Sequence, residues 1–122
     1  MKEQKKLVIV ITEGLDNERA SVAWSIANGA INNGLELTVF LTSSAVDWVR
    51  KGAANRAHLN PEDPPMMEMI QKVIDSGSPI CVCPPCAKVR GYSEEDLLDG
   101  VKLIGSVVIH DQVKQGAATL SF

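Results

Sequence analysis

The sequence predicts an α/β layer fold built on a mainly parallel sheet. Short runs of aliphatic and β-branched residues alternate with segments whose apolar residues recur at helical spacing. Such alternation is typical of strands that are joined by right-handed helical crossovers. The length predicts one domain, residues 1–122, and 45% hydrophobic with 22% charged residues is typical of a globular core.

The first two predicted strands flank a helix. Lys6–Thr12 is a short aliphatic run, which predicts a strand buried on both faces. Asp16 or Asn17 is suited to cap the next helix, because short polar side chains accept hydrogen bonds from its free N–H groups. The apolar residues at helical spacing are Val22, Ala23, Ile26, Ala27, Ala30 and Ile31. Gly34 is expected to end this helix, and Leu35–Leu41 is the second predicted strand.

The middle of the chain is predicted to contain two helices separated by a loop. Ser44 and Asp47 have the spacing of a capping box, which predicts a short helix that ends near Gly52. Residues 53–65 include three prolines and are predicted to form a loop. A helix is predicted next from the apolar residues Met66, Met67, Ile70, Val73 and Ile74.

The last third of the chain is predicted to supply three strands. Pro79–Cys83 is the third strand, and a short helix over Pro84–Arg90 follows it. Ser93 is expected to cap a further helix. The apolar positions of that helix are Leu97, Leu98, Val101 and Ile104. The chain is then predicted to close with a fourth strand at Ser106–Ile109, a helical turn at residues 111–115 and a fifth strand at Ala117–Phe122.

Composition excludes several classes of protein. Twelve basic and fifteen acidic side chains give a net charge of −3, so no basic excess favours direct binding of nucleic acid. The longest aliphatic run, Leu7–Ile11, has five residues, whereas a membrane-spanning helix needs ~20. Three cysteines within residues 81–86 do not form the spread, even-numbered set of a secreted disulfide framework. We therefore expect a cytoplasmic protein without a membrane span.

The functional site is expected beyond the carboxyl ends of the predicted strands, where parallel sheets bind their ligands. The segments that follow the strands are residues 13–17, 42–44, 83–86 and 110–111. Gly14 is the only glycine in the first turn, which lacks the spacing of phosphate-binding loops. The sequence therefore predicts no nucleotide cofactor.

The cysteine segment carries the strongest chemical signal. Pro84 suits the first position of a helix, which makes Cys83 its N-cap and Cys86 its third residue. The positive end of a helix dipole favours a thiolate there, and Arg90 one turn later adds positive charge. Cys81 lies deeper in the predicted strand and is expected to be a small core residue.

Three chemical hypotheses fit this segment. One cysteine could carry sulfane sulfur as a persulfide, or Cys83 and Cys86 could cycle through a disulfide. A metal site would need Cys81 as a third ligand and His110 as a fourth, since tetrahedral zinc takes four ligands; we expect no metal and no other cofactor. Inert, buried cysteines are the alternative to all three. His58 is either a solvated loop histidine or an acid or base that acts near neutral pH.

Four motifs in order resemble the DsrE/DsrF-like sulfur-relay family. A Gly-x-Asp-Asn-x-Arg turn enters an alanine-rich helix over Gly14–Ala30, and a Gly-x-x-x-x-Val-Phe strand covers Gly34–Leu41. Lys51-Gly52 ends a short helix. The most specific motif is Cys83, then a helix that ends in Arg90-Gly91, then an acidic helix start.

The resemblance implies a three-layer α/β/α fold around a five-stranded, mostly parallel sheet, in a homo-oligomer that is a trimer or hexamer. It also implies that the persulfide is carried by a cysteine eight residues before the glycine of Arg-Gly, which is Cys83 counted back from Gly91. Protein partners would donate and accept the sulfur, and Asp16, Asn17, Arg90 and His58 are the candidate binding residues. Unlike the family pattern, this chain adds Cys86, which could resolve a Cys83 persulfide as a disulfide. A thiol–disulfide protein and a binding or assembly module without catalysis remain the alternatives.

Overall fold

The computed structural model describes residues 5–122, in which five strands form one sheet. The strands are β1 (Lys6–Ile11), β2 (Glu36–Leu41), β3 (Ile80–Val82), β4 (Val101–Leu103) and β5 (Ala118–Ser121). The α-helices are α1 (Arg19–Asn32), α2 (Met66–Asp75), α3 (Pro84–Val89) and α4 (Val107–Lys114). Single 3₁₀ segments cover Ser43–Val49 and Glu94–Asp96.

The sheet has the order β4-β3-β2-β1-β5, and all four strand pairings are parallel. From β1 to β4 the chain steps in one direction across the sheet, and α4 then returns it to the opposite edge. Because such crossovers are right-handed, this reversal places α4 on the face opposite α1 and α2. The predicted three-layer α/β fold and its parallel sheet are therefore confirmed.

The main core lies between the sheet and the face that carries α1 and α2. In the sheet, Ile9, Val39 and Ile80 are paired across three adjacent strands and are almost fully buried. Trp24 and Trp48, which belong to α1 and the first 3₁₀ segment, are fully buried against this face. Within the described part of the chain, no helix has the length and apolar character needed to cross a membrane.

The opposite face of the sheet is covered less completely. α4 contains no buried residue, and every residue of the edge strand β5 is exposed. Exposed apolar side chains on these two elements include Val107, Val113 and Leu120. One layer of the fold therefore presents apolar surface that residues 5–122 do not cover.

The predicted fourth strand was placed wrongly. Ser106–Ile109 is not a strand, because Ser106 caps α4 and the residues after it are helical. The strand is instead Val101–Leu103, within the segment predicted to be a helix. Gly100, with a φ of +92°, interrupts the helical pattern before it. Pairing with β3 then overrides the local spacing of apolar residues, which is the usual outcome when tertiary contacts compete with propensity.

Of the two helix caps predicted at Ser44 and Ser93, only the one at Ser93 forms. Ser44 and Asp47 form no capping box, since Thr42 precedes the 3₁₀ segment and no side chain caps it. Ser93 does begin a structured turn, in which Asp96 Oδ2 accepts the Ser93 N–H at 2.8 Å. That turn is a single 3₁₀ turn rather than the predicted helix. The N–H and then the hydroxyl of Ser93, which both donate to the Asp96 carboxylate, hold the pKa of this carboxyl below its ordinary value.

Candidate functional site

The site lies at the junction between the end of β3 and the start of α3. The N–H of Cys83 donates to the Leu41 carbonyl at 2.9 Å, which continues the parallel ladder one residue past β3. Pro84 then opens α3, so that Cys83 is its N-cap. Proline suits this position because its missing N–H would have no partner there. Cys86 is the third helical residue, and the predicted arrangement of both cysteines around the helix start is confirmed.

The Cys86 sulfur is held by the segment that follows β2. The backbone N–H of Ser43 donates to Cys86 Sγ at 3.2 Å, and the Thr42 hydroxyl oxygen lies 3.4 Å from the same sulfur. The hydroxyl of Thr42, then the Ser43 N–H, then the Cys83 thiol and the Arg90 charge lower the pKa of Cys86 against an opposing effect of burial. These contacts favour the thiolate, which is the nucleophilic form.

The backbone at Ser43 adopts a conformation that is unusual for a residue with a side chain. Its φ is +54°, and Ser43 is the only non-glycine residue with a positive φ in the described part of the chain. A residue with a Cβ pays about 1–2 kcal/mol for this left-handed geometry. Such strain is concentrated at functional sites, and here it accompanies an N–H that points at the Cys86 sulfur.

A polar network extends from the Cys86 backbone through Arg90, the C-cap of α3, to the 3₁₀ segment after β2. Arg90 Nη1 donates to the Cys86 carbonyl at 3.1 Å, and its Nε lies 3.9 Å from Asp47 Oδ1. The same Asp47 oxygen accepts the Tyr92 hydroxyl at 2.6 Å. Burial and the Asp47 carboxylate raise the pKa of Tyr92, because both disfavour the phenolate. The Arg50 guanidinium stacks over the Tyr92 ring at 5.8 Å.

Three of the four predicted strand-end segments meet at this edge of the sheet. A Cβ placed on Gly14 would lie 3.0 Å from both the Cβ and the carbonyl oxygen of Ser44, so the first turn packs closely on the segment after β2. Trp48 Nε1 also donates to the Glu13 carbonyl at 2.9 Å. The fourth segment, residues 110–111, lies within α4 and not after a strand, so the placement of His110 was wrong.

The predicted binding residues have separate positions. Asn17 Oδ1 accepts the Arg19 N–H at 2.9 Å, and Asn17 Nδ2 donates to Glu13 Oε2 at 3.0 Å. The N-cap of α1 is Glu18 and no side chain caps the helix, so the predicted cap at Asp16 or Asn17 was wrong. Asp16 is exposed in the same turn. His58 is exposed in the loop before α2, and its Nε2 lies 2.7 Å from the Asp63 carbonyl oxygen of that loop.

Cys81 does not share the environment of the other two cysteines. It is 1% exposed in β3, beside Phe40 of β2 and Lys102 of β4 in the register of the sheet. Burial raises the pKa of its thiol, and the charge of Lys102 offsets this only in part. Among residues 5–122, no group of three or more His, Cys, Asp or Glu side chains is arranged to hold a metal ion.

Some groups of the site were not singled out from the sequence. In the sequence, Thr42 is marked only by its position after a predicted strand, and the spacing of Asp47 from Ser44 predicts a helix cap. Tyr92 carried no signal beyond its place after Arg-Gly. Their roles depend on contacts between residues that are about 45 positions apart, which no local motif records.

Comparison with known proteins identifies relatives of this chain. A model of the DsrE/DsrF-like family matches residues 5–122. The uncharacterized protein MJ0989 of Methanocaldococcus jannaschii is 36% identical over 109 residues, which cover 88% of this chain and 89% of that protein. The uncharacterized protein MK0008 of Methanopyrus kandleri is 35% identical over 109 residues, which cover 88% of this chain and 83% of that protein.

Solved structures share the same fold at lower identity. The ychN protein of E. coli superposes with a TM-score of 0.78 and 23% identity, over 98% of this chain and all of that one. The protein MTH1491 of Methanobacterium thermoautotrophicum gives a TM-score of 0.72 and 19% identity over the same shares of the two chains. At these identities the similarity shows a shared fold, and the function must be inferred from the residues of the site.

Proposed function

Because the chain belongs to the DsrE/DsrF-like family, we propose that it is a sulfur carrier. In this proposal the pair of Cys83 and Cys86 accepts sulfane sulfur as a cysteine persulfide and passes it to an acceptor protein. The family supports a role of the sulfur-relay type, and the site supports the thiol chemistry that such a role requires. No cofactor is needed, since the cysteine sulfur is itself the reacting group.

The observation that carries the proposal is the environment of the Cys86 sulfur. Two donors from the end of β2, the Ser43 N–H and the Thr42 hydroxyl, lie within 3.4 Å of it. A thiol that attacks a sulfane sulfur must be present as thiolate, and hydrogen bonds to the sulfur favour that form. Arg90, which lowers the pKa of Cys86 through its charge, also supplies positive potential for an anionic sulfur donor.

The test is mass spectrometry of the reduced protein after brief exposure to polysulfide or thiosulfate, with rapid alkylation to trap intermediates. One added sulfur atom on the peptide with Cys83 and Cys86, removable by reductant, supports the carrier. A peptide that passes to a disulfide with no trapped sulfur at any time contradicts it. That outcome favours a thiol–disulfide protein, whose supporting observation is the position of both cysteines in the first turn of α3. If the mass of this peptide does not change, the remaining interpretation is a binding module without thiol chemistry.

Partners, location and assembly are part of the same proposal. A carrier needs one protein that donates sulfur and another that accepts it, and its thiols need a reducing compartment such as the cytoplasm. All three cysteines are free thiols in this structure. We further propose a homo-oligomer, a trimer or hexamer, in which the exposed apolar side chains of α4 and β5 are covered by neighbouring copies.

A further inference from the structure

Resting on the proposed carrier function, we propose that the two site cysteines have distinct roles. Cys86 is the thiolate that takes up the sulfane sulfur, and Cys83 is the thiol that then displaces it as hydrosulfide. This assignment reverses the expectation from the family resemblance, in which the position of Cys83 carries the persulfide. It also gives the protein a second activity, the reduction of sulfane sulfur to sulfide.

The contacts of the two sulfurs differ. The segment after β2 directs two hydrogen-bonding groups at the Cys86 sulfur, from Thr42 and from the N–H of Ser43. Among the described residues, no hydrogen bond from this segment reaches the Cys83 sulfur, and both of these contacts go to Cys86. Both cysteines are partly exposed, so access does not separate them. The difference between them is the number of donors that stabilise negative charge on sulfur.

The position of Cys83 suits a resolving thiol. Its main chain is fixed at both ends, since its N–H donates to the Leu41 carbonyl and its own carbonyl accepts the Ala87 N–H at 3.1 Å. Cys83 and Cys86 are three positions apart in the first turn of α3, a spacing that places their side chains next to each other. A nucleophile held next to a persulfide reacts in an effectively unimolecular step, which favours displacement over release to solvent.

The chemistry balances in three steps. The Cys86 thiolate attacks the sulfane sulfur of a thiosulfate or polysulfide, whose remaining part leaves with the electron pair of the broken S–S bond. Cys83 then attacks Cys86 Sγ, and the outer sulfur leaves as HS⁻ with the proton of the Cys83 thiol. The two cysteines are oxidised to a disulfide by two electrons, and the sulfane sulfur is reduced. Two equivalents of a small-molecule thiol regenerate the pair.

The experiment compares the wild-type protein with Cys83→Ser, Cys86→Ser and, as a matched control, Cys81→Ala. Each reduced chain is exposed to inorganic polysulfide, desalted and measured by intact mass and peptide fragmentation. We expect Cys83→Ser to retain one sulfur atom on Cys86, because nothing displaces it. The wild type and Cys81→Ala should lose two hydrogens and carry a Cys83–Cys86 link. Sulfur uptake by Cys86→Ser should be slower by about tenfold or more, because the sulfur that receives the Ser43 and Thr42 contacts is missing.

The possible failures are distinguishable. Rapid uptake on Cys83 in Cys86→Ser, with Cys83→Ser inert, overturns the assignment of roles and leaves the carrier function standing. Equal uptake by both single variants overturns it as well. If no variant takes up sulfur, including Cys83→Ser, which cannot form the Cys83–Cys86 disulfide, the proposed carrier function itself fails. Alkylation of the remaining cysteines with and without denaturant verifies that each variant is folded.

Discussion

The Thr42 hydroxyl oxygen lies 3.4 Å from the Sγ of Cys86, although 44 residues separate the two in sequence. Thr42 is the first residue after β2, and Cys86 is the third residue of α3. The acidity of a thiol on one element is therefore increased by the residue that follows a neighbouring strand. The adjacent Ser43 N–H reinforces this contact from the same segment.

Thr42→Val should make Cys86 less reactive. The contact with the Thr42 hydroxyl is the largest effect that lowers the pKa of Cys86, so its loss raises that pKa and leaves less thiolate at neutral pH. Loss of about 1 kcal/mol corresponds to roughly fivefold slower alkylation. The measurement is the rate of Cys86 alkylation against pH, whose midpoint should lie below the ~8.5 of free cysteine in the wild type and move upward in the variant.

Thr12→Val is the matched control for that experiment. Thr12 follows β1 as Thr42 follows β2, and its hydroxyl donates to the Phe122 carbonyl at 2.7 Å instead of a thiol. This variant removes an equivalent hydroxyl without touching the cysteines. An equal shift of the alkylation midpoint in both variants would mean that the Thr42 contact does not set the reactivity of Cys86.

Tyr92 should titrate above the usual range of tyrosine. Burial and the Asp47 carboxylate both disfavour the phenolate, so the pKa of Tyr92 is raised and ionisation requires higher pH. Tyr92 is the only tyrosine in the sequence, so the tyrosinate absorbance of the whole protein reports this one group. Asp47→Asn should move the titration midpoint downward. A midpoint at the ~10 of free tyrosine in the wild type would contradict the Asp47 contact.

Gly14→Ala should destabilise the protein and disturb the site. The added methyl group would lie 3.0 Å from both Ser44 Cβ and the Ser44 carbonyl oxygen, so the backbone must move. Overpacking of this kind costs about 1–3 kcal/mol, which denaturant unfolding measures. Gly29→Ala is the control, since Gly29 lies in α1 with no atom near the new methyl. That change should stabilise the helix by about 1 kcal/mol, and equal losses in both variants would exclude the proposed clash.

Cys81 should be protected in the folded protein. Its side chain is 1% exposed, and burial raises the pKa of its thiol, so little thiolate forms at neutral pH. Differential alkylation should label Cys86 first and leave Cys81 unlabelled until denaturant is added. Labelling of Cys81 at the rate of Cys86 without denaturant would show that β3 is not buried as described.

Leu120→Lys should weaken self-association. Leu120 is 40% exposed on the edge strand β5, where a new charge would be costly to bury in an interface between copies. Sedimentation velocity should give a smaller species for this variant than for the wild type. Val89→Lys is the control, because Val89 is 80% exposed on α3, away from β5 in the sequence. A wild type that is already monomeric would refute the proposed oligomer.

The parts of the fold that could be predicted are those with local signals. β1, β2 and α2 were found close to their true bounds because each has its own apolar pattern and its own glycine or proline punctuation. β4 could not be found in this way, since a strand of three residues is stabilised by its pairing with β3 and carries no periodicity of its own.

The candidate site was predictable in location but not in detail. The rule for parallel sheets correctly brought together the segments after β1, β2 and β3. It gave no information on which cysteine the Thr42 hydroxyl would contact, because that depends on how α3 is oriented against the end of β2. Likewise, the spacing of Ser44 and Asp47 indicated a cap, whereas Asp47 accepts a hydrogen bond from Tyr92.

The two prolines between the site cysteines bear on the chain entropy of the site. Pro84 opens α3 and Pro85 follows it, and each ring fixes its backbone φ near −65°. The residues between two cysteines lose conformational freedom when a disulfide forms. Here the proline rings have already removed much of that freedom from the dithiol form. We infer that forming or breaking a Cys83–Cys86 disulfide changes the conformational entropy of the protein little. The pair can then alternate between dithiol and disulfide without unfolding α3.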